Sequence, residues 1–424
     1  MNRIDLHGRR VILGVTGSIS AYKACELCRS LVRSGADVHV VLSESAEKFV
    51  SALTFEALSA NEVLTSSSEN WSGGVNHISI IERADIFVVA PATANSINKM
   101  AKGIADTPVL QAFLAFGGKK LIAPAANTGM LKNHYTAGSL KMLSVDDVTI
   151  VDAQKKRLAC GTEGYGALAE VDEIYMQICR ELYRDDFWND RKVVVTGGGT
   201  REAIDTVRYI GNRSSGKMAN AIATALYLKG ADVCLITTAP HDDLPSDIYI
   251  IDVDDAQEMA EYTVDAVRVA KKGKLSKPSM NASEPISLIR KKPYLFMVSA
   301  VGDYRPRYPQ SEKMKKSDIG EVWNLELVQN PDIVASIDKD GLITVAFKAE
   351  SDSERGIENA KRALEEKGVD AICYNDVSDE KVFGSEENEI VFITKRGMET
   401  IERDDKSRVA LKILEKSKKL DDEA

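Results

Sequence analysis

Twice in these 424 residues an apolar run empties into a loop of glycines and hydroxyls, enters a helical stretch, and re-emerges through the same four residues, Gly-Ala-Asp-Val. The first copy runs from Val11-Ile12-Leu13-Gly14-Val15-Thr16-Gly17-Ser18 to Gly35-Ala36-Asp37-Val38. The second runs from Val193-Val194-Val195-Thr196-Gly197-Gly198-Gly199-Thr200 to Gly230-Ala231-Asp232-Val233. A strand that ends in small residues at a helix N-terminus exposes backbone N–H groups and the positive end of the helix dipole, which suits a phosphate. Two such units predict two nucleotide-type sites.

The rest of the chain keeps the same rhythm. Strand-like runs at 38–42, 86–90, 120–123 and 148–151 alternate with helical patterns at 21–32 and 108–116. Further runs follow at 193–196, 233–237, 294–299, 343–347, 371–374 and 390–393. Apolar strands separated by amphipathic helices predict an α/β class of two doubly wound, Rossmann-like domains with mainly parallel sheets. The polar and aromatic segment from Arg184 to Arg191, after a helical Val171–Tyr183, is the natural boundary, giving domains 1–185 and 186–424.

A formal net charge of -9 argues against nucleic acid or an anionic membrane as partner, since either favours a basic face. No apolar run approaches the ~18 residues of a membrane span, and Met1-Asn2-Arg3-Ile4-Asp5 lacks an apolar leader. Six scattered cysteines (25, 28, 160, 179, 234, 373) make no disulfide framework and suit a reducing compartment. The expectation is a cytoplasmic protein with small-molecule partners. Cys25-x-x-Cys28 sits in an amphipathic stretch and reads as two residues on one helix face. The Lys-rich stretch from Lys271 to Pro285 reads as a solvated loop, and the tail with Val409, Leu411, Ile413 and Leu414 as a surface helix fraying after Leu420.

In the first half, Gly14-Val15-Thr16-Gly17-Ser18-Ile19-Ser20 is neither a G-x-G-x-x-G nor a P-loop, leaving NAD, ATP and a flavin mononucleotide open. Two Asn-bearing loops, Ala90-Pro91-Ala92-Thr93-Ala94-Asn95-Ser96 and Ala123-Pro124-Ala125-Ala126-Asn127-Thr128-Gly129-Met130, each follow a buried strand. Loops at the C-terminal ends of parallel strands line the ligand crevice. With Asn76-His77-Ile78 and Leu158-Ala159-Cys160-Gly161, this half resembles the flavin-containing cysteine decarboxylases, specifically phosphopantothenoylcysteine decarboxylase, over about residues 8 to 175. That family usually reads Pro-Ala-Met-Asn where this chain has Ala126 before Asn127.

The resemblance implies FMN, with contacts from Gly17, Ser18, Ser43, Pro91, Thr93, Asn95 and Ser96. It implies oxidation of the substrate thiol to a thioaldehyde, loss of carbon dioxide to leave an enethiolate, and return of hydride with a proton from Cys160. His77 would assist the oxidation and decarboxylation, and Asn127 would hold the substrate carboxylate. It further implies a homo-oligomer, with a trimeric decarboxylase core. A flavin prenyltransferase-like protein shares the Gly-Thr-Gly-Ser loop, but Cys160 and the second half speak against it. A nucleotide-binding regulatory module without chemistry is the rival from another class.

In the second half, three glycines, Gly197 to Gly199, permit close backbone approach to phosphates, and Ser214, Ser215 and Gly216 open a helix. Arg208, Asn212 and Arg213 lie between them. Ser299-Ala300-Val301-Gly302-Asp303-Tyr304 follows, then Lys313-Met314-Lys315-Lys316, Asn330-Pro331-Asp332-Ile333 and Phe347-Lys348. This order resembles phosphopantothenate-cysteine ligase over about residues 190 to 395, with Gly302 where family members have Ala. The resemblance implies CTP and Mg²⁺, an acyl-cytidylate of 4'-phosphopantothenate that cysteine's amine attacks, and 4'-phospho-N-pantothenoylcysteine as product. Asn212 would hold the intermediate and Lys313 would meet developing phosphate charge. Nucleotide or substrate contacts would come from Gly198, Gly199, Arg208, Ser214, Ser215, Gly216, Ala300, Asp303, Lys315, Asn330, Pro331, Asp332, Ile333, Phe347 and Lys348, with Asp303 also a metal ligand. Ligase dimers are implied as well.

Overall fold

The computed structural model describes residues 4–157, 161, 163–280, 286–315, 320–350, 355–378 and 384–421. The chain divides into two compact units, one of residues 1–183 with 276–287, the other of 184–275 with 288–424.

The first unit is built on five parallel strands, β1 (Arg10–Val15), β2 (Asp37–Leu42), β3 (Ile86–Ala92), β4 (Lys119–Pro124) and β5 (Val148–Ile150), in the order β2-β1-β3-β4-β5. Every residue of β3 is buried, as expected of a central strand covered on both faces. The helix Ala21–Arg33 shows why the pattern is amphipathic: Ala21, Ala24, Leu27, Cys28 and Leu31 form one buried stripe. Cys25 and Cys28 are free thiols on that helix, and burial pushes the Cys28 thiol up to about 12. A two-stranded hairpin, β6 (Gln154–Arg157) with β7 (Glu163–Ala167), follows the sheet.

The second unit holds an eight-stranded sheet. Its strands are β8 (Lys192–Gly197), β11 (Asp232–Thr237), β12 (Tyr249–Asp252), β15 (Tyr294–Met297), β18 (Ile343–Glu350), β19 (Ala371–Asp376), β20 (Glu387–Thr394) and β21 (Gly397–Asp405). The order is β12-β11-β8-β15-β18-β19-β20-β21, parallel as far as β19 and antiparallel beyond. Short antiparallel pairs, β9 (Arg201–Ala203) with β10 (Tyr209–Gly211) and β16 (Tyr304–Pro306) with β17 (Leu327–Gln329), sit on the loops after β8 and β15. Both doubly wound, mainly parallel sheets are as the alternation predicts.

The repeated Gly-Ala-Asp-Val words do the same job in both units. Gly35 has φ +91° and Gly230 +92°, the left-handed conformation in which a side chain is strained. Each ends its helix in a Schellman turn, with Ala36 donating to the Leu31 carbonyl at 3.1 Å and Ala231 to that of Leu226 at 3.0 Å.

The tail helix forms as expected over Lys406–Lys418: Ser407, Arg408, Lys412 and Glu415 are exposed, while Val409, Ile413 and Leu414 are buried as it packs on the helix Lys217–Leu228 and on β20 and β21. Burying such side chains stabilises by roughly 1.5–3 kcal/mol each. Strand β21 immediately precedes it. Within the Lys-rich stretch, β13 (Lys274–Leu275) pairs with β14 (Leu288–Ile289), and the Met280 N–H donates to the Val145 carbonyl at 2.7 Å, so this stretch is more than a solvated loop.

Candidate active sites

The order of the first sheet places its topological switch point between β1 and β3, where chains leaving neighbouring strands diverge and leave a crevice. A cleft of ≈ 830 Å³ opens there. Gly17, Ser18, Ser43, Thr93, Asn95, Ser96 and Asn127 all line it. Several helices begin at its wall. Ser43, Thr93 and Asn127 are N-caps whose side chains accept the N–H groups of Ala46 (3.3 Å), Ser96 (3.3 Å) and Gly129 (2.9 Å). Hydroxyls and helix N-termini on one wall suit an anion.

Thr16 holds this arrangement together. Its buried hydroxyl donates to the Pro91 carbonyl at 2.7 Å and accepts the Thr93 N–H at 3.0 Å, tying the β1 loop to the β3 loop. Pro91 therefore stands behind the cleft rather than in its lining, joined to Ala90 by a cis peptide. The β6–β7 hairpin lies on the Asn127 loop, with the Ala126 N–H on the Gly166 carbonyl at 3.1 Å. A Cβ at Gly166 would fall 2.0 Å from the Ala126 oxygen, so the approach requires glycine. Lys156 and Arg157 of this hairpin also line the cleft, and sequence reasoning missed them. Cys160 belongs to the connection between β6 and β7 and lies outside the described residues.

His77 is not in the cleft lining of its own chain. Its Nδ1 lies 2.6 Å from Glu69 Oε1, and Trp71 meets the imidazole edge-on at 5.2 Å. The His77 hydrogen bond holds the Glu69 carboxyl below its ordinary range.

In the second unit the switch point falls between β8 and β15. Thr196 occupies the place of Thr16: it is buried, 2.8 Å from the Ser299 hydroxyl, and accepts the Ser299 N–H at 3.3 Å. Ala300 donates to the Gly198 carbonyl at 2.8 Å, and Gly302 to the Thr200 hydroxyl at 2.8 Å. A pocket of ≈ 310 Å³ is lined by Gly199, Asn212, Ser214 and Ser215, among others. Gly198 has φ +78° and packs so closely on Thr238 that a Cβ would sit 2.2 Å from its hydroxyl. Gly216 caps the helix Lys217–Leu228.

Asn212 Nδ2 donates to the Val301 carbonyl at 2.9 Å and reaches that of Ala300 at 3.5 Å. Asn330 Nδ2 donates to the Gly302 carbonyl, and its N–H to that of Asp303, both at 2.8 Å. These bonds gather the Gly198–Thr200 loop, Asn212, Ala300, Asp303 and Asn330 into one neighbourhood. Other candidates stand apart from the pocket lining. Ile333 has its side chain in the apolar core. Asp332 caps the helix Ile333–Ser336, and Pro331 before it is exposed. Phe347 and Lys348 lie on β18, where Lys348 pairs with Glu350 at 3.1 Å. Arg208 is held by Asp205 at 2.5 Å, and Lys313 and Lys315 are exposed.

A flavodoxin-like switch point joined to a second doubly wound unit with its own glycine loop defines a two-site nucleotide-handling protein. Comparison with known proteins names the two halves. The family described as Flavoprotein matches residues 2–183, and that of the DNA/pantothenate metabolism flavoprotein C-terminal domain matches 188–272 and 281–420. The chain is 34% identical over 414 residues to the Coenzyme A biosynthesis bifunctional protein CoaBC of Vibrio vulnificus, covering 96% of this chain and 97% of that one. The protein of the same name from Bacillus subtilis is 35% identical, covering 92% of each chain, and that from Borreliella burgdorferi 31%, covering 96% and 98%. The chain belongs to the family of bifunctional coenzyme A biosynthesis proteins. It is an enzyme with two activities, a phosphopantothenate-cysteine ligase and a phosphopantothenoylcysteine decarboxylase.

Proposed function

We propose that the C-terminal unit uses CTP to activate 4'-phosphopantothenate as an acyl-cytidylate and couples it to cysteine, and that the N-terminal unit converts the product to 4'-phosphopantetheine with FMN. The observation that carries this reading is that each glycine and hydroxyl loop stands at the switch point of its own sheet, beside a cleft or pocket. The first cleft fits FMN in size and donor set: Ser18, Ser43, Thr93 and Ser96 offer hydroxyls, and helix N-termini face a phosphate. Flavin bound there supplies reversible two-electron oxidation of the substrate's thiol-bearing carbon. Asn127 would hold the substrate carboxylate by a neutral amide, and Cys160 would deliver the proton to carbon. His77, tied to Glu69 outside its own cleft, would serve a neighbouring subunit's cleft, which suits a trimeric core.

In the ligase unit, Asn212 is oriented by the 300–301 carbonyls to hold the acyl-nucleotide. Lys313 is the cation for the developing phosphate charge. Among the described residues no three His, Cys, Asp or Glu side chains gather as a metal cage. Mg²⁺ commonly takes one or two carboxylates, water and substrate phosphates, so it would ride on the triphosphate with Asp303 as its protein oxygen. Dimers of this unit complete the proposal. The location we assign is cytoplasmic, where the five described cysteines, all free, stay reduced.

Two measurements test it. Purified protein should carry a yellow chromophore released on denaturation as FMN; a chain that never binds FMN would end the decarboxylase mechanism. Lys313→Gln should cut phosphopantothenoylcysteine formation by about 10²-fold, leaving measurable residual activity, and full activity in that variant would refute its role.

A further inference from the structure

Asp205 is outside the pocket lining, yet its side chain is fully shielded from solvent. A carboxylate withdrawn from water is tolerated only when paired and hydrogen-bonded, and this one is heavily bonded. Its Oδ1 accepts the backbone N–H groups of Val207 at 2.9 Å and Arg208 at 2.8 Å. Its Oδ2 accepts Arg208 Nε at 3.0 Å, Arg208 Nη2 at 2.5 Å, and the backbone N–H of Met314 at 3.2 Å. Arg208 Nη2 also donates to the Met314 carbonyl at 3.0 Å, so the pair grips both backbone polar groups of that residue. The guanidinium lies 4.5 Å from the Trp323 ring centroid, and the Gln310 N–H donates to the Ile204 carbonyl at 2.9 Å, fastening the same stretch a few residues earlier.

Met314 stands between Lys313 and Lys315. Lysine is a point charge on a flexible stem, so where its ammonium reaches is set by where its backbone is held. We propose that Asp205 is a positioning residue of the ligase: it seats Arg208 and the Lys313–Lys315 backbone as one unit, directing Lys313 to the activated phosphate. The inference rests on the ligase reading above. It also gives Arg208 a role its position explains, as the other half of the grip.

The test is Asp205→Asn in the full-length chain. In either amide orientation one set of N–H donors then faces an N–H₂ group, and the counter-charge of Arg208 is gone. Expected is a fall in ligation kcat of about tenfold or more with the KM for CTP within about twofold, because misplacement of a catalytic group costs turnover. In a Lys313→Gln background the same substitution should add less than about twofold, since residues acting through one another are not additive. Unchanged kcat, or losses that simply multiply, would overturn the proposal. If Asp205→Asn does not fold, Arg208→Lys, which loses the two-pronged grip but keeps the charge, should show the same non-additivity, and multiplying losses there would also overturn it. A wild-type chain that releases no pyrophosphate from CTP would remove the ligase reading and this proposal together, an outcome distinct from a failure in the variants alone.

Discussion

The two units begin with the same words and part company after their second strand. In the first, the chain leaves β2 and crosses directly to the far side of β1, giving the order β2-β1-β3-β4-β5. In the second, it adds β12 outside β11 before crossing back to β15, so that the six parallel strands read 3-2-1-4-5-6 in their own order. The buried threonine is common to both: Thr16, just after β1, and Thr196, next to the end of β8, each bridge to the loop across the switch point. What differs is the surroundings. N-capped helix ends wall the first site into a cleft of ≈ 830 Å³, whereas glycine turns and short hairpins leave the second a pocket of ≈ 310 Å³. One local solution for a phosphate thus serves two chemistries, because strand order and the added loops decide what else reaches it.

If the sites are independent, damage to one should spare the other. The largest effect is expected from Asn212→Asp, which sets a carboxylate against the Ala300 and Val301 carbonyls. Ligation should fall by about 10²-fold or more, since displacing a positioned group by an ångström costs that much. Decarboxylation of supplied 4'-phospho-N-pantothenoylcysteine should be unchanged; a parallel loss of both activities would break the comparison. Next come Thr16→Val and Thr196→Val. Each leaves buried donors or acceptors unpaired and should cost about 1–3 kcal/mol. Calorimetry should show the transition of the substituted unit falling by about 2–4 °C per kcal/mol while the other stays. Thr16→Val alone should weaken FMN retention. An effect of similar size is expected of Gly166→Ala, which forces the β6–β7 hairpin off the Ala126 carbonyl at about 1–3 kcal/mol and should slow decarboxylation without touching ligation. The smallest is Cys25→Ala, half-buried on the helix Ala21–Arg33 and outside the cleft lining, expected to stay within about 0.5 kcal/mol by thermal unfolding.

The central strands were legible because a parallel strand covered on both faces must be apolar throughout, as Val193 to Val195 and Ile86 to Ala90 are. The short pairs were not. Arg201–Ala203 and Tyr304–Pro306 are three residues long, polar, and paired only because the loops that carry them fold together. Strand β21 shows a single buried residue, Ile401, and gives no alternation to read. Strand order is set by which side a crossover takes, which no local pattern records. At the sites, the hydroxyls of Ser18, Ser43 and Thr93 were legible through the family resemblance, and they line the cleft. The threonine bridges were not, because Thr16 and Thr196 looked like part of the phosphate loop. Nothing local to Arg208 reveals that its guanidinium is committed to Asp205 and Met314.

The most direct measurement of the two-site claim uses the full-length enzyme with 4'-phosphopantothenate, carboxyl-labelled cysteine and one nucleoside triphosphate at a time. The account predicts that CTP supports release of CMP and labelled CO₂ in equal amounts, and that omitting cysteine stops the CO₂. Release of CO₂ without any nucleotide, or nucleotide cleavage that never leads to CO₂ in flavin-loaded enzyme, would contradict it.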